Sequence, residues 1–380
     1  TIDAGEGSDT LRFLDTGSLD FATVADVAPF SNVSNFEALQ IDNVSLRISD
    51  AFLDVFSDNT INVTVPEETD SFTQLIAGEV ATNATINVDA SDADDGNFFL
   101  TINNGTTSFI GTDNGDQVDV TTGSFLDDGD SLDGEGGFDT LQFFTGAETV
   151  VQASQLSGIE NFERISISHD SFNDDNDFKL TVDNAFAAAN NDDGTLEIGL
   201  EDFSFSSTAD EDIEVDASGV SGGVDIVART SNNDTTDFTL KLGSGDDLVF
   251  LGAGSDTVTL GSGEDVVAFE SQSSDDNSIT DFDFGTDSGS GANVDRIDLD
   301  NLGVGGDGSI AIESDGATSG SVVVLDQQAR NDLGQVDTGV SGVLGGSTEQ
   351  VFVLWQDGLG NVKFGLDSDA GNASSGIDEL

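Results

Sequence analysis

The chain has 380 residues, and its 9 Lys and Arg against 75 Asp and Glu leave a formal charge of −66. Such a charge argues against nucleic acid and anionic membrane as partners. Its 29 Leu, 33 Val, 19 Ile and 27 Phe, together 108 residues, lift it above the composition of unfoldable acidic polymers, so it buries a core.

With 45 Gly and only 2 Pro, the turns fall to Gly, Asn and Asp, which favours many short strands. Cysteine is absent, which removes disulfides, thiol nucleophiles and thiolate zinc sites. Another staple has to offset the repulsion among carboxylates, and bound divalent cations would do so. No apolar run is long enough to span a bilayer, and no basic region followed by an apolar stretch opens the chain. Direct membrane insertion is therefore not expected. The absence of Met, position 1 included, reads as a processed product or an excised piece of a longer chain.

In chain order, the first feature is a duplication. IDAGEGSDTL at 2–11 answers LDGEGGFDTL at 132–141, NFEALQI at 35–41 answers NFERISI at 161–167, and INVDAS at 86–91 answers IEVDAS at 213–218. Three matches in one order give two copies of one unit, 1–130 and 131–240. Within them apolar residues alternate in short runs, as in Ile61, Val63 and Val65, or Leu196, Ile198 and Leu200. That period marks half-buried strands. Runs such as FFLTI at 98–102 suit strands covered on both faces, as in a stacked solenoid. Short helices are expected only around 182–191 and 326–333.

From residue 242 the chain reads LGSGDDLVF, LGAGSDTVT, LGSGEDVVA, three nine-residue units without a gap. Gly243, Gly245 and Asp247 recur as Gly252, Gly254 and Asp256, then as Gly261, Gly263 and Asp265, each set followed by a valine at the eighth place. Glycine permits backbone that turns carbonyls inward, and Asp supplies a hard oxygen suited to Ca²⁺. If each unit is half a turn of a parallel β-roll, the first and third stack on one side. Asp247 and Asp265 then share one ion. Asp256 looks for a partner on the other side, in NNDTTD at 232–237 or SQSSDDN at 271–277.

These nonapeptides resemble the calcium-binding repeats of the RTX (hemolysin-type) secreted proteins, whose pattern has Gly at places one, two and four. Leu242, Leu251 and Leu260 stand here at the first place. The segment ITDFDFGTDSGSGANVDRIDL at 279–299 is similar to the run that often follows such repeats, with an insertion after Asp287. The turns bearing Asp9 and Asp139 resemble single degenerate versions of the same loop. The NFEAL and NFERI segments after them resemble a motif of calcium-dependent bacterial surface-layer proteins of the RTX type. Asp9, Asp139 and Asp116, the last in GDQVDV, stay open between a solvated turn and an ion site.

Other features read more plainly. The Asp clusters at 92–97, 173–177 and 191–194 read as exposed loops, and the tail at 367–380 misses the spacing of an EF-hand. His169, the single His, reads as a surface residue and Trp355 as core. Phe without Tyr argues for buried filling rather than sugar-stacking platforms. The expected fold is all-β, parallel β-solenoid or β-roll with little helix, divided into repeat units 1–130 and 131–240, a β-roll at 241–270 and a capping or export region at 271–380. No catalytic constellation is visible, so no enzyme activity is expected. What the resemblance implies is a calcium-binding structural protein, exported through a type I channel, that self-associates by calcium bridging into a layer on a bacterial surface, with a cell-surface component as a further partner. The alternatives are a calcium-rigidified adhesin fragment and the accessory module of an extracellular enzyme.

Overall fold

The computed structural model describes residues 2–298, apart from 22–27, 29–32, 57–58, 67–72, 80–83, 94–95, 103–104, 122–125, 127–128, 146–148, 170–176, 201–211, 230–236, 253, 270–276 and 283–294. Beyond 298 it describes the strands at 312–314, 322–325, 351–356, 362–367 and 377–379. The chain divides into two compact units, Thr1–Gly199 and Leu200–Leu380.

In the first unit the chain winds as a parallel β-roll, the stacked architecture expected from runs such as FFLTI. One wall stacks Thr60–Thr64, Thr85–Asp89, Thr106–Ile110, Ser131–Asp133 and Ile159–Glu160. The other stacks Thr73–Glu79, Phe98–Ile102, Gln117–Val120, Thr140–Thr145 and Arg164–His169. The long strand Ala38–Ser49 serves both walls, pairing Ala38 to Gln40 with the first and Ser45 to Ser49 with the second. Between the two stretches Asn43 takes a left-handed backbone, φ 49°. Because side chains alternate across a strand, parallel register stacks identical faces into columns. Leu39, Val63, Val88, Phe109, Leu132 and Ile159 form one buried column. Leu46, Leu75, Leu100, Val118, Leu141 and Ile165 form the other. Each such side chain contributes roughly 1.5–3 kcal/mol on leaving water. Outward positions carry polar ladders: Asn87 donates to Asn62 at 2.9 Å, and Gln142 to Ser168 at 2.9 Å.

The FFLTI segment is a strand, buried at Phe98, Leu100, Thr101 and Ile102. The helix expected around 182–191 is Asn184–Ala189, with the Asp183 carboxylate accepting from the Ala185 and Phe186 amides as its N-cap. A second short helix, Asp50–Leu53, was not expected. The one expected at 326–333 lies outside the described residues.

The second unit repeats the parallel winding. Asp212–Gly219, Asp237–Lys241, Thr257–Thr259 and Ser278–Ile279 form one wall, with Val215, Leu240, Val258 and Ile279 as its buried column. Asp225–Arg229, Leu248–Leu251, Val266–Phe269 and Arg296–Asp298 form the other. Towards the C-terminus Val322–Leu325 runs parallel to both Ile312–Ser314 and Val351–Gln356. Val351–Gln356, Val362–Asp367 and Ile377–Glu379 are antiparallel, so the winding gives way there to a meander.

Candidate metal centre

Consecutive nonapeptides feed opposite walls, so each strand pairs with the next but one. Leu248 lies beside Val266, and Thr257 beside Thr239 and Ser278. The eighth-place valines, Val249, Val258 and Val267, are fully buried and anchor the loops before them. Leu242, Leu251 and Leu260, at the place where the family pattern has its first Gly, are buried as well. That place therefore packs the core here instead of turning the chain.

The loops place the candidate aspartates at the inner edge of the stack, where Asp247 and Asp265 are each 1 % exposed and Asp256 is 0 %. The structure brings Asp247 and Asp265 together and leaves Asp256 on the opposite side. The Asp247 amide donates to Asp265 Oδ1 at 2.8 Å, the Asp265 amide to Asp295 Oδ1 at 3.2 Å, and the Ile226 amide to Asp247 Oδ1 at 2.6 Å. On the other side the Asp256 amide donates to Asn277 Oδ1 at 2.8 Å, and the Ser255 amide to Asp237 Oδ1 at 2.7 Å. Of the two segments expected to partner Asp256, 271–277 does so through Asn277, while 232–237 reaches only the neighbouring Ser255 through Asp237. Asp295, in VDRIDL near the end of the 279–299 segment, carries no signal of its own in the sequence. Asp281, near the start of the 279–299 segment, accepts from the amides of Leu260 at 2.7 Å and Gly261 at 2.9 Å.

Glycine is required where loops press on one another. A Cβ on Gly243 would lie 2.2 Å from the Val220 carbonyl oxygen, one on Gly261 1.9 Å from that of Gly243, and one on Gly263 1.9 Å from that of Gly245. Gly245 is buried against Val224 O and Asp225. Gly254, like Gly261, has a positive φ, 106° against 95°, and Gly252 is buried beside it.

The charge balance of this edge is unfavourable as it stands. Burial first, then the neighbouring Asp265 and Asp225 carboxylates, push Asp247 up to about 7 from an ordinary 3.8. Burial and Asp295, Asp281 and Asp246 raise Asp265 to about 6. Asp247 Oδ2 is buried with no hydrogen-bond partner, a costly condition for a carboxylate. An orphaned hard oxygen, in a loop that only glycine fits, suits a cation of Ca²⁺ type, which draws on carboxylate and carbonyl oxygens together. Among the described residues no three His, Cys, Asp or Glu side chains form a metal cluster by themselves, so such an ion would need the carbonyls.

The candidates in the first unit are held in a related way. Asp139 is 0 % exposed and Asp116 2 %, while Asp9 is half-buried. The Asp116 amide donates to Asp139 Oδ1 at 2.5 Å, linking those two, and Asp9 stands in a separate loop. Burial foremost raises Asp116 to about 6 and Asp139 to about 8, the latter helped by Asp116, Glu163 and Asp133. Glu37 and Glu163 are the acids of the two NFE segments, and nothing local in the sequence gives them a role. Their Oε2 atoms accept from the Asp9 and Asp139 amides, each at 2.8 Å.

A family model described as the RTX calcium-binding nonapeptide repeat (4 copies) matches residues 239–267. Neither a curated protein nor a solved structure matches the chain. The matched residues are those whose loops alternate between the two walls and whose aspartates line the inner edge. The chain carries RTX-type calcium-binding repeats, set on a parallel β-roll.

Proposed function

We propose that this protein is a secreted structural component that stiffens on calcium outside the cell and self-associates, through calcium bridges, into a layer on a bacterial surface. The observation that carries the reading is a parallel β-roll whose loops bury paired carboxylates, on a chain of charge −66. Without cations those loops repel. With them, successive turns are tied together. Two molecules so charged also repel at contact range, since screening at physiological salt acts over roughly 8 Å. Sodium weakens that repulsion but does not hold carboxylates of two chains in one shell, whereas Ca²⁺ takes six to eight oxygens and can do so.

Light scattering followed by electron microscopy tests the assembly. Ordered sheets or filaments should form in millimolar calcium, dissolve in chelator, and not return in sodium chloride of equal ionic strength. A particle that stays monomeric in calcium at high concentration would favour an adhesin stalk or an accessory module of an extracellular enzyme. Sheets formed equally well in sodium chloride alone would show that screening, not bridging, drives the contact.

A further inference from the structure

We propose that the outer face of the wall formed by Asp225–Arg229, Leu248–Leu251, Val266–Phe269 and Arg296–Asp298 docks on a second copy of this chain, against the acidic outer face of that copy's other wall. The contact belongs to the self-association proposed above, on which it rests, and gives it direction. Parallel register sets the outward residues in columns. Val227, Leu248, Val266 and Arg296 form one, and Arg229 beside Phe250 begins the next. Outward places on a strand facing water are ordinarily polar. Here successive strands offer Val, Leu and Val, each half-buried, with the half-buried Phe250 ring alongside.

Charge sets this face apart as well. Arg229 and Arg296 are both exposed on it, in a chain with only 9 Lys and Arg and a charge of −66. The Arg229 guanidinium carbon lies 3.9 Å from the centre of the Phe250 ring. The acids at the head of the wall are turned into the loops: Asp225 Oδ1 accepts from the Asp246 amide at 2.8 Å, and Asp246 Oδ1 from the Glu264 amide at 2.9 Å. Apolar side chains framed by arginine, with carboxylates drawn aside, are the make-up of a protein contact rather than of a solvated face. The opposite wall is its complement. Its outward columns run Glu214, Thr239, Thr257, Ser278 and Asp216, Lys241, Thr259, with Asp212 exposed at the start. Lys241 is already bonded to Glu214. Asp212 and Asp216 can therefore meet the arginines of another copy, and threonine methyls can pack on its Val and Leu. The two walls face away from each other across one buried core, so neither satisfies the other within a molecule. Joining unlike faces of two copies leaves one of each kind open, and the contact repeats along an array.

Charge reversal on each face, followed by mixing, tests the pairing on the full chain. One variant carries Arg229→Glu with Arg296→Glu, the other Asp212→Lys with Asp216→Lys, and sedimentation velocity in millimolar calcium reads assembly. Each variant alone should stay dispersed where wild type assembles, since its own two faces now repel. Mixed in equal amounts they should assemble again, because each reversed face meets a reversed partner. Variants that assemble as wild type does would overturn this contact and leave self-association standing. Variants that stay dispersed when mixed would overturn the opposite wall as the occupant. A wild-type chain that never assembles would instead defeat the self-association reading itself. Should a reversed chain fail to fold in calcium, Arg229→Gln with Arg296→Gln decides: it should raise the concentration needed for assembly about tenfold, and an unchanged value would overturn the proposal.

Discussion

Individual carboxylates set how this protein should respond to pH. In the ion-free fold Asp247 sits at about 7, Asp139 at about 8, and Asp116 and Asp265 at about 6, all above the ordinary 3.8. The folded state therefore holds more protons than the unfolded one between about pH 4 and 8, and stability must fall as pH rises across that window. Melts in chelator should accordingly drop in midpoint from pH 4 to pH 8. Calcium needs the deprotonated ligands, so its stabilising increment should grow over the same range. A chelated midpoint that rises with pH would mean that these groups are not buried as described. Removal of a partner also tests the pairing. Asp247→Ala and Asp265→Ala should each raise the calcium needed for half-saturation about tenfold, equivalent to about 1.4 kcal/mol. In a double-mutant cycle the two should couple by roughly 0.5–3 kcal/mol, while Asp256→Ala adds to either within about 0.5 kcal/mol. Coupling of Asp256 to Asp247 would contradict the alternating walls.

At the scale of elements, backbone contact between loops decides which glycines matter. Gly263→Ala would place a Cβ 1.9 Å from the Gly245 carbonyl oxygen, against backbone that cannot yield, and should cost roughly 1–3 kcal/mol in calcium-loaded denaturant melts. Gly223 has nothing within 4 Å of its would-be Cβ, so Gly223→Ala should be neutral or stabilise by about 0.4–1 kcal/mol. Equal losses in the two would point to chain entropy rather than loop stacking. The parallel walls were legible in the sequence because the period-two runs and the gapless nonapeptides need only local spacing. The loops at Asp3 and Asp133 share one geometry: Asp3 Oδ1 accepts from Gly5 N and Asn35 Nδ2, as Asp133 Oδ1 does from Glu135 N and Asn161 Nδ2. Less could be read of the first-unit loop, because Leu132 to Asp139 is two residues longer than Leu242 to Asp247 and so breaks the nine-residue spacing. Asp295 was hidden for a similar reason: its place beside Asp265 depends on a long insertion whose length fixes no register. The part played by Glu163 depends on an amide far along the chain, which no local pattern displays.

For the whole molecule, a charge of −66 opposes compaction and the buried apolar columns favour it, so bound cations should decide how far the balance tips. An ion that binds only the native state stabilises it by RT ln(1 + [L]/Kd), about 2.7 kcal/mol per site at a hundredfold excess over Kd, and several sites add. Monovalent salt supplies screening without coordination and should recover only a small part of this. The most direct measurement is therefore the thermal melt of the full chain by far-ultraviolet circular dichroism in excess chelator, in millimolar calcium, and in sodium chloride of matched ionic strength. The midpoint should climb with the logarithm of calcium concentration and respond weakly to sodium. Superimposable melts in calcium and chelator would contradict calcium-coupled folding.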